Sequence, residues 1–193
     1  MSQRDDLIAG AKKCLVEKGY SRTTARDIAA ASGAHLASIG YHFGSKDALM
    51  NLAALQMQDE WGEMIAEVVR SAEADGPPHR LRIALDELLA ALPRQRELIV
   101  AATQAYAQVE FADDIRGTMT EASREARREL AALVLGIDPA RAGADTARAT
   151  GSVVYALVVG FAVQSLLDPD SLPTGAQAAD ALRTLAGRSG GGA

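Results

Sequence analysis

Cysteine occurs once in this chain, as Cys14, and a single thiol excludes an internal disulfide and any multi-cysteine metal site. Cys14 stands at helical spacing with Leu7, Ala11 and Leu15, the position of a small buried apolar residue. Histidine is nearly as scarce. His35 and His42 lie seven residues apart and His79 follows Pro77-Pro78, so the three form no close pair with metal-ligand spacing. GxSxG, HExxH and phosphate-cradling glycine loops are all missing. The acidic pairs Asp59-Glu60, Asp86-Glu87 and Asp113-Asp114 fall on polar helix faces, where solvation is the usual reason for a carboxylate. The expectation is a protein that is not an enzyme, with no catalytic residue, no metal ligand and no cofactor. The first residues, "MSQRDDLIAGAKK", lack the uninterrupted apolar region of a signal peptide, which points to the cytoplasm.

β-branched runs are few while alanine and leucine abound, so the 193 residues read as all-α, with about nine helices and no strand pattern. A hydrophobic share of 48% against 23% charged is the balance of a soluble globular protein. The formal net charge of −5 argues against a surface basic all over. Its distribution is uneven, however. Residues 1–46 hold seven Lys/Arg against four acids, a local +3, which leaves −8 for the remainder. A basic front end on an acidic body suggests two jobs, one of them involving a polyanion.

The periodicity predicts an amphipathic helix from Arg4 to Lys18, ended by Gly19. Thr24 opens a second helix, with Asp27 placed to complete a capping box and Ser32-Gly33 ending it. A third short helix is expected from about His35 to His42. Gly44 stops it, and Ser45 caps a fourth that runs from Lys46 to roughly Glu73. Leucines from Leu81 to Leu92 mark a fifth helix, ended by Pro93. Leu98 to Val109 marks a sixth, and Ile115 to Val134 a seventh, closed by Gly136. An eighth covers "ATGSVVYALVVGFAVQSLL", residues 149–167, and a ninth starts at Thr174 with Gln177 as its capping-box partner. "GRSGGGA" reads as a disordered tail. The eighth helix is apolar all round, which suits either a membrane span or burial against protein, and burial is the expected outcome.

The second and third helices, "TARDIAAASGAHLASIGYHF", have helix-turn-helix proportions. Ile28 and Ala29 before Gly33, with Ile39 and Phe43 after it, can meet Leu15 in a small core. That leaves His35, Leu36, Ala37 and Ser38 at the exposed front of the third helix, the part that enters the major groove in DNA-binding proteins of this design. The same pattern also suits a compact three-helix corner with no ligand.

Residues 4–50 closely resemble the DNA-binding domain of the TetR/AcrR family of bacterial repressors. Gly19-Tyr20, Thr23-Thr24, Ile28-Ala29, Gly33, Tyr41-His42-Phe43 and Lys46 with Leu49 all fall in that family's register. The resemblance implies a DNA-binding domain over residues 1–48, a helical effector-binding and dimerisation domain over 49–187, and a tail over 188–193. It implies phosphate contacts from Thr24, Tyr41, His42 and Lys46, with Phe43 turned inward as core. Base reading falls to His35, Leu36, Ala37 and Ser38, with Arg26 a candidate guanine contact from the second helix. The chain departs from the family's common pattern at His35, Leu36 and Gly40. His35 can cap or touch phosphate there, and Leu36 offers only apolar contact.

A helix-turn-helix spans few base pairs, so the implied unit is a homodimer on a palindromic operator, joined through residues around 145–186. Gly151, Ser152, Ala156, Gly160 and Ala162 are small enough for close helix approach, although an intrachain core would use them equally well. The family's effector cavity lies between its fourth to eighth helices. Its candidate walls here are Met57, Trp61, Met64, Leu85, Leu88, Leu89, Tyr106, Phe111, Met119, Tyr155 and Phe161, with Gln104 as a polar contact beside Tyr106 and Tyr155. Such a stripe is also what a plain core looks like. The implied function is a ligand-responsive, sequence-specific transcriptional repressor released from DNA by a small, mainly apolar effector. Control by a protein partner instead, or a helical enzyme, are the alternative readings.

Overall fold

The structure, a computed structural model, describes residues 2–110 and 113–187. It is 83% helical with no strands among the described residues. The helices in chain order are α1 (Gln3–Lys18), α2 (Ala25–Ser32), α3 (Ala37–Phe43), α4 (Lys46–Ser71), α5 (Pro77–Ala91), α6 (Arg96–Gln108), α7 (Asp113–Leu135), α8 (Ala144–Leu167) and α9 (Gly175–Leu185). The candidate Phe111 and the expected tail at 188–193 lie outside the described residues.

Local chemistry sets most of the helix ends. Ser2 and Asp5 form a capping box, so α1 begins one residue earlier than its apolar periodicity indicates. The Thr24–Asp27 and Thr174–Gln177 boxes are both present, as expected from their spacing. The Ala48 N–H donates to Ser45 Oγ at 3.0 Å, which caps α4. Pro77 and Pro78 open α5 rather than preceding it, because a missing N–H costs nothing in a first turn.

By contact density the chain divides into two compact units: Met1–Trp61 with Gln95–Thr120, and Gly62–Arg94 with Glu121–Ala193. The whole 1–48 segment lies in the first. Its core joins Leu7, Ala11, Cys14 and Leu15 of α1 to Ile28, Ile39, Leu49, Met50 and Ala53, with Leu98 and Ala101 of α6 completing it. Thr23 is buried beside this cluster and satisfied, its hydroxyl donating to the Gly19 carbonyl at 2.7 Å. Tyr20 and Phe43 pack against the same cluster from its edge.

In the second unit, α5 packs on α9, and Leu85, Leu88, Ala178 and Ala179 are buried. Helix α8 winds as a π-helix over Ala147–Gly151 before continuing as α-helix. At Gly151 a Cβ would stand 2.1 Å from the Arg127 carbonyl oxygen of α7, so only glycine allows this approach. Helix α8 is long and apolar enough to cross a membrane by length and composition, with a mean hydropathy of 1.7 over its most apolar stretch. Yet only 17% of that stretch is buried within the chain. An intrachain core alone therefore does not account for its composition.

Candidate nucleic-acid interface

The helix-turn-helix is built on Gly33. It takes φ +70° and ψ 8°, a left-handed conformation that a side chain would resist, and this lets α3 leave α2 at a sharp angle. Ile28 is fully buried and Ile39 nearly so, which pins the inner faces of both helices to α1. The outer face is then presented by default.

Helix α3 begins at Ala37, two residues later than its sequence pattern indicates. His35 and Leu36 form the turn that leads into it, with the Ser38 N–H donating to the His35 carbonyl at 2.9 Å. His35 is exposed and its side chain caps nothing here. The N-cap position belongs to Leu36, which has no side-chain hydrogen bond to offer. Leu36 and Ala37 are exposed and Ser38 is half-buried, so all four candidate base-reading residues lie together at the front of α3. Arg26 is exposed in the first turn of α2.

The far end of α3 carries the phosphate candidates. Tyr41 is 86% exposed, and its ring meets His42 edge-on at 4.9 Å between centroids. His42 Nε2 lies 3.4 Å from Gln3 Oε1, and the Arg4 guanidinium sits 5.4 Å from the centre of the Phe43 ring. The N-terminus of α1 thus borders the recognition helix. Arg4 went unassigned in the sequence, where the Ser2-x-x-Asp5 capping pattern was the available signal for a helix starting beside it.

Lys46 is more engaged than a simple phosphate cation. Its ammonium pairs with Asp47 at 2.9 Å, donates to the Thr23 carbonyl at 3.4 Å and lies 5.4 Å from the Tyr20 ring centre. Thr24 is exposed, but its hydroxyl already donates to Asp27 Oδ2 at 2.7 Å. Asp27 in turn accepts from Lys18 at 2.6 Å. That ammonium, followed by the Thr24 backbone and hydroxyl donors, holds the Asp27 carboxyl well below the usual carboxylate range.

The local positive charge is sorted by these pairs. Lys12 pairs with Glu60, Lys13 with Glu17, Lys18 with Asp27 and Lys46 with Asp47. Among the described residues, Arg4, Arg22 and Arg26 join no ion pair, so the basic excess noted in the sequence resides in three arginines. Arginine's rigid, always charged fork suits phosphate and guanine better than lysine does.

The effector candidates are dispersed over both units. In the first, Met57 and Trp61 pack half-buried against the N-terminal core. Gln104 donates from Nε2 to Ser21 Oγ at 3.0 Å, Tyr106 is largely exposed on α6, and Met119 stands on α7. In the second, Leu85 and Leu88 are buried core, Leu89, Tyr155 and Phe161 are half-buried, and Met64 is exposed. Among the described candidates, Met119 lines a cleft between α4, α6 and α7. This cleft, of about 160 Å³, is bounded by Ala48, Asn51, Leu52, Ala54, Leu55 and Gln58 of α4, Ala102 and Ala105 of α6, and Thr118 and Met119 of α7.

Comparison with known proteins places this arrangement. Residues 7–53 match the model of bacterial regulatory proteins of the tetR family, and residues 77–189 match the C-terminal domain of BetI-type transcriptional repressors. A 67-residue segment is 30% identical to the HTH-type transcriptional repressor AcnR of Corynebacterium efficiens, covering 35% of this chain and 36% of that protein. The repressor of the same name from Corynebacterium glutamicum is 30% identical over 66 residues, 34% and 35% of the two chains. The chain thus spans about a third of the length of these curated relatives.

Solved structures share the fold over nearly the whole chain. A TetR transcription regulator from Haloarcula marismortui superimposes with a TM-score of 0.67 at 22% identity, covering 95% of this chain and 97% of that one. A transcriptional regulator from Rhodococcus sp. RHA1 gives 0.65 at 20% identity, with 95% of each chain covered. The multidrug binding protein EbrR, complexed with imidazole, gives 0.63 at 23% identity over 96% and 95%. The chain belongs to the TetR family of bacterial transcriptional regulators.

Proposed function

We propose that the protein is a cytoplasmic repressor that binds a palindromic operator as a homodimer and leaves it when a small, mainly apolar effector binds. The observation that carries the reading is the front of α3: His35, Leu36, Ala37 and Ser38 stand together there, Tyr41 is exposed farther along the same helix, and Arg26, in no ion pair among the described residues, is exposed on α2. Residues 1–48 serve as the DNA-binding domain, with Thr24, Tyr41, His42 and Lys46 as phosphate contacts and Arg4 added from α1. Residues 49–187 serve as the effector and dimerisation domain. The partner helices meet along α8 and α9, where apolar side chains stay uncovered in the single chain. The likeness to the multidrug binding protein EbrR supports small-molecule control. Effector release requires different affinities of the ligand for the DNA-competent and DNA-incompetent states.

The test is binding to a fluorescent fragment of the gene's own upstream region, at two salt concentrations and with excess random DNA. Expected are two protomers per palindrome, strong salt dependence, and weaker binding on every sequence alike when Tyr41→Ala or Lys46→Ala is introduced. Binding no tighter than to random DNA, both there and in a genome-wide selection, would overturn the reading.

A further inference from the structure

We infer that the protein selects its operator by apolar contact with a thymine methyl group, with Leu36 as the residue that reads it and Gly40 as the gap that lets α3 come close enough. The inference rests on the DNA-binding reading above and names the base chemistry that the same helix recognises.

The outward face of α3 is short of hydrogen-bonding groups. Leu36 has helical dihedrals, φ −53° and ψ −40°, so it continues the phase of α3 although it precedes the first helical residue. Positions three and four apart share a helix face, which puts Leu36, Ala37, Gly40 and Tyr41 on one side. All four are exposed, whereas Ile39 is buried and Ser38 and Phe43 are half-buried. From Leu36 to Gly40 that face offers no side-chain donor or acceptor, and Leu36, 46% exposed, is its largest apolar group.

In the major groove, guanine, cytosine and adenine present hydrogen-bonding edges, and the C5-methyl of thymine is the apolar feature. A hydrocarbon face set against a G·C pair would desolvate polar edges without replacing the lost hydrogen bonds. Set against thymine, the same face buries a methyl group. The match is therefore to a T·A pair opposite Leu36.

Gly40 supplies a second, independent observation. It stands in the interior of α3 with ordinary right-handed backbone, where glycine is less stable than alanine. A Cβ there would meet nothing within 4 Å among the described residues. Neither backbone conformation nor packing inside the chain calls for glycine at this position. Its benefit lies outside the chain: a bare backbone between Leu36 and Tyr41 can approach base edges closely, which is what a leucine needs to touch a methyl.

The experiment uses the full chain and the operator obtained by genome-wide selection. Each thymine of one half-site is replaced in turn by deoxyuridine, which keeps the base pair and removes only the methyl. At least one position is expected to lose about fourfold in affinity. Leu36→Ala should weaken operator binding and abolish the deoxyuridine effect at that position alone. Cytosine there should bind worse than thymine, and 5-methylcytosine, which restores the methyl, should recover part of the loss. Gly40→Leu should leave the thermal midpoint unchanged or raised, since leucine is the better helix former, yet weaken operator binding about tenfold. Deoxyuridine tolerated at every position would overturn the inference, as would a deoxyuridine effect of equal size in Leu36→Ala. Operator affinity unaltered by Gly40→Leu would overturn the role given to Gly40. Each of these results leaves specific operator binding, and with it the repressor reading, in place. A selection that yields no operator would instead remove that reading, and this inference with it.

Discussion

The helix-turn-helix part of the first unit buries most of its hydrophobic surface within the chain, and α8 and α9 of the second do not. Leu7, Leu15, Ile28, Leu49 and Met50 are fully buried within one chain, and the apolar residues left outside in the α3 region, Leu36 and Tyr41, sit where DNA is expected. Along α8 and α9 the balance reverses: Val153 is 59% exposed, Leu167 82% and Leu185 84%. A helix hydrophobic on every side, with so little covered, is stable in water only when another surface meets it. The contrast fits the proposed division, in which the first unit reads DNA and the second pairs with another copy. The family's members act as dimers, in keeping with this division.

The largest break in the comparison should come from the incomplete side. Val153→Asp puts a charge on the uncovered face of α8. Sedimentation should show monomers, and operator affinity should fall toward that for random DNA, a loss of about 10³-fold. The NMR fingerprint of α1 to α3 should remain native. A dimer that persists in this variant would place the pairing surface elsewhere.

Leu15→Ala attacks the complete side. It leaves a cavity under α2 and α3 and should cost about 2–5 kcal/mol in chemical denaturation. DNA binding should be lost, whereas dimers should still form. Thr24→Ala sharpens the picture at smaller scale, since it removes the hydroxyl that caps α2. About 1 kcal/mol of stability is expected to go, together with a uniform loss of affinity on all DNA sequences.

The smallest effect is electrostatic. Asp27 titrates below its ordinary 3.8 because the Lys18 ammonium and then the Thr24 donors favour the carboxylate. A depressed folded pKa contributes stability above the unfolded value, and that contribution disappears as pH falls through the folded one. An NMR titration of Asp27 should therefore show a midpoint under 3.8, and Lys18→Met should raise it without disturbing the fold. A midpoint unmoved by Lys18→Met would mean that the cap alone sets the shift.

Much of this was legible in the sequence because it depends on short-range chemistry. Capping boxes at Thr24 and Thr174, the left-handed glycine at position 33, and the inward spacing of Ile28, Ile39 and Leu15 act within a few residues or across one turn. The start of α3 was less legible. His35 looks like a helix residue, but the turn bond to its carbonyl, which holds it outside, depends on how α2 and α3 meet. The cleft was hardly legible at all. Of the effector candidates among the described residues, Met119 alone lines it, since a Met or aromatic residue at helical spacing signals burial without saying against what. Asn51, Leu52 and Ala102 have no distinctive spacing and become neighbours only when α4 and α6 pack.

Sequence alone determined the helices, the placement of the DNA-reading turn and the excess charge of the N-terminal segment, because caps, glycines and apolar periodicity act locally. Tertiary packing decided which cations remain unpaired, which residues wall the cleft and which face of α8 stays uncovered. Those properties depend on distances between residues far apart in the chain: Lys12 finds Glu60, Gln104 finds Ser21, and Tyr20 finds Asn51 only after the helices have docked.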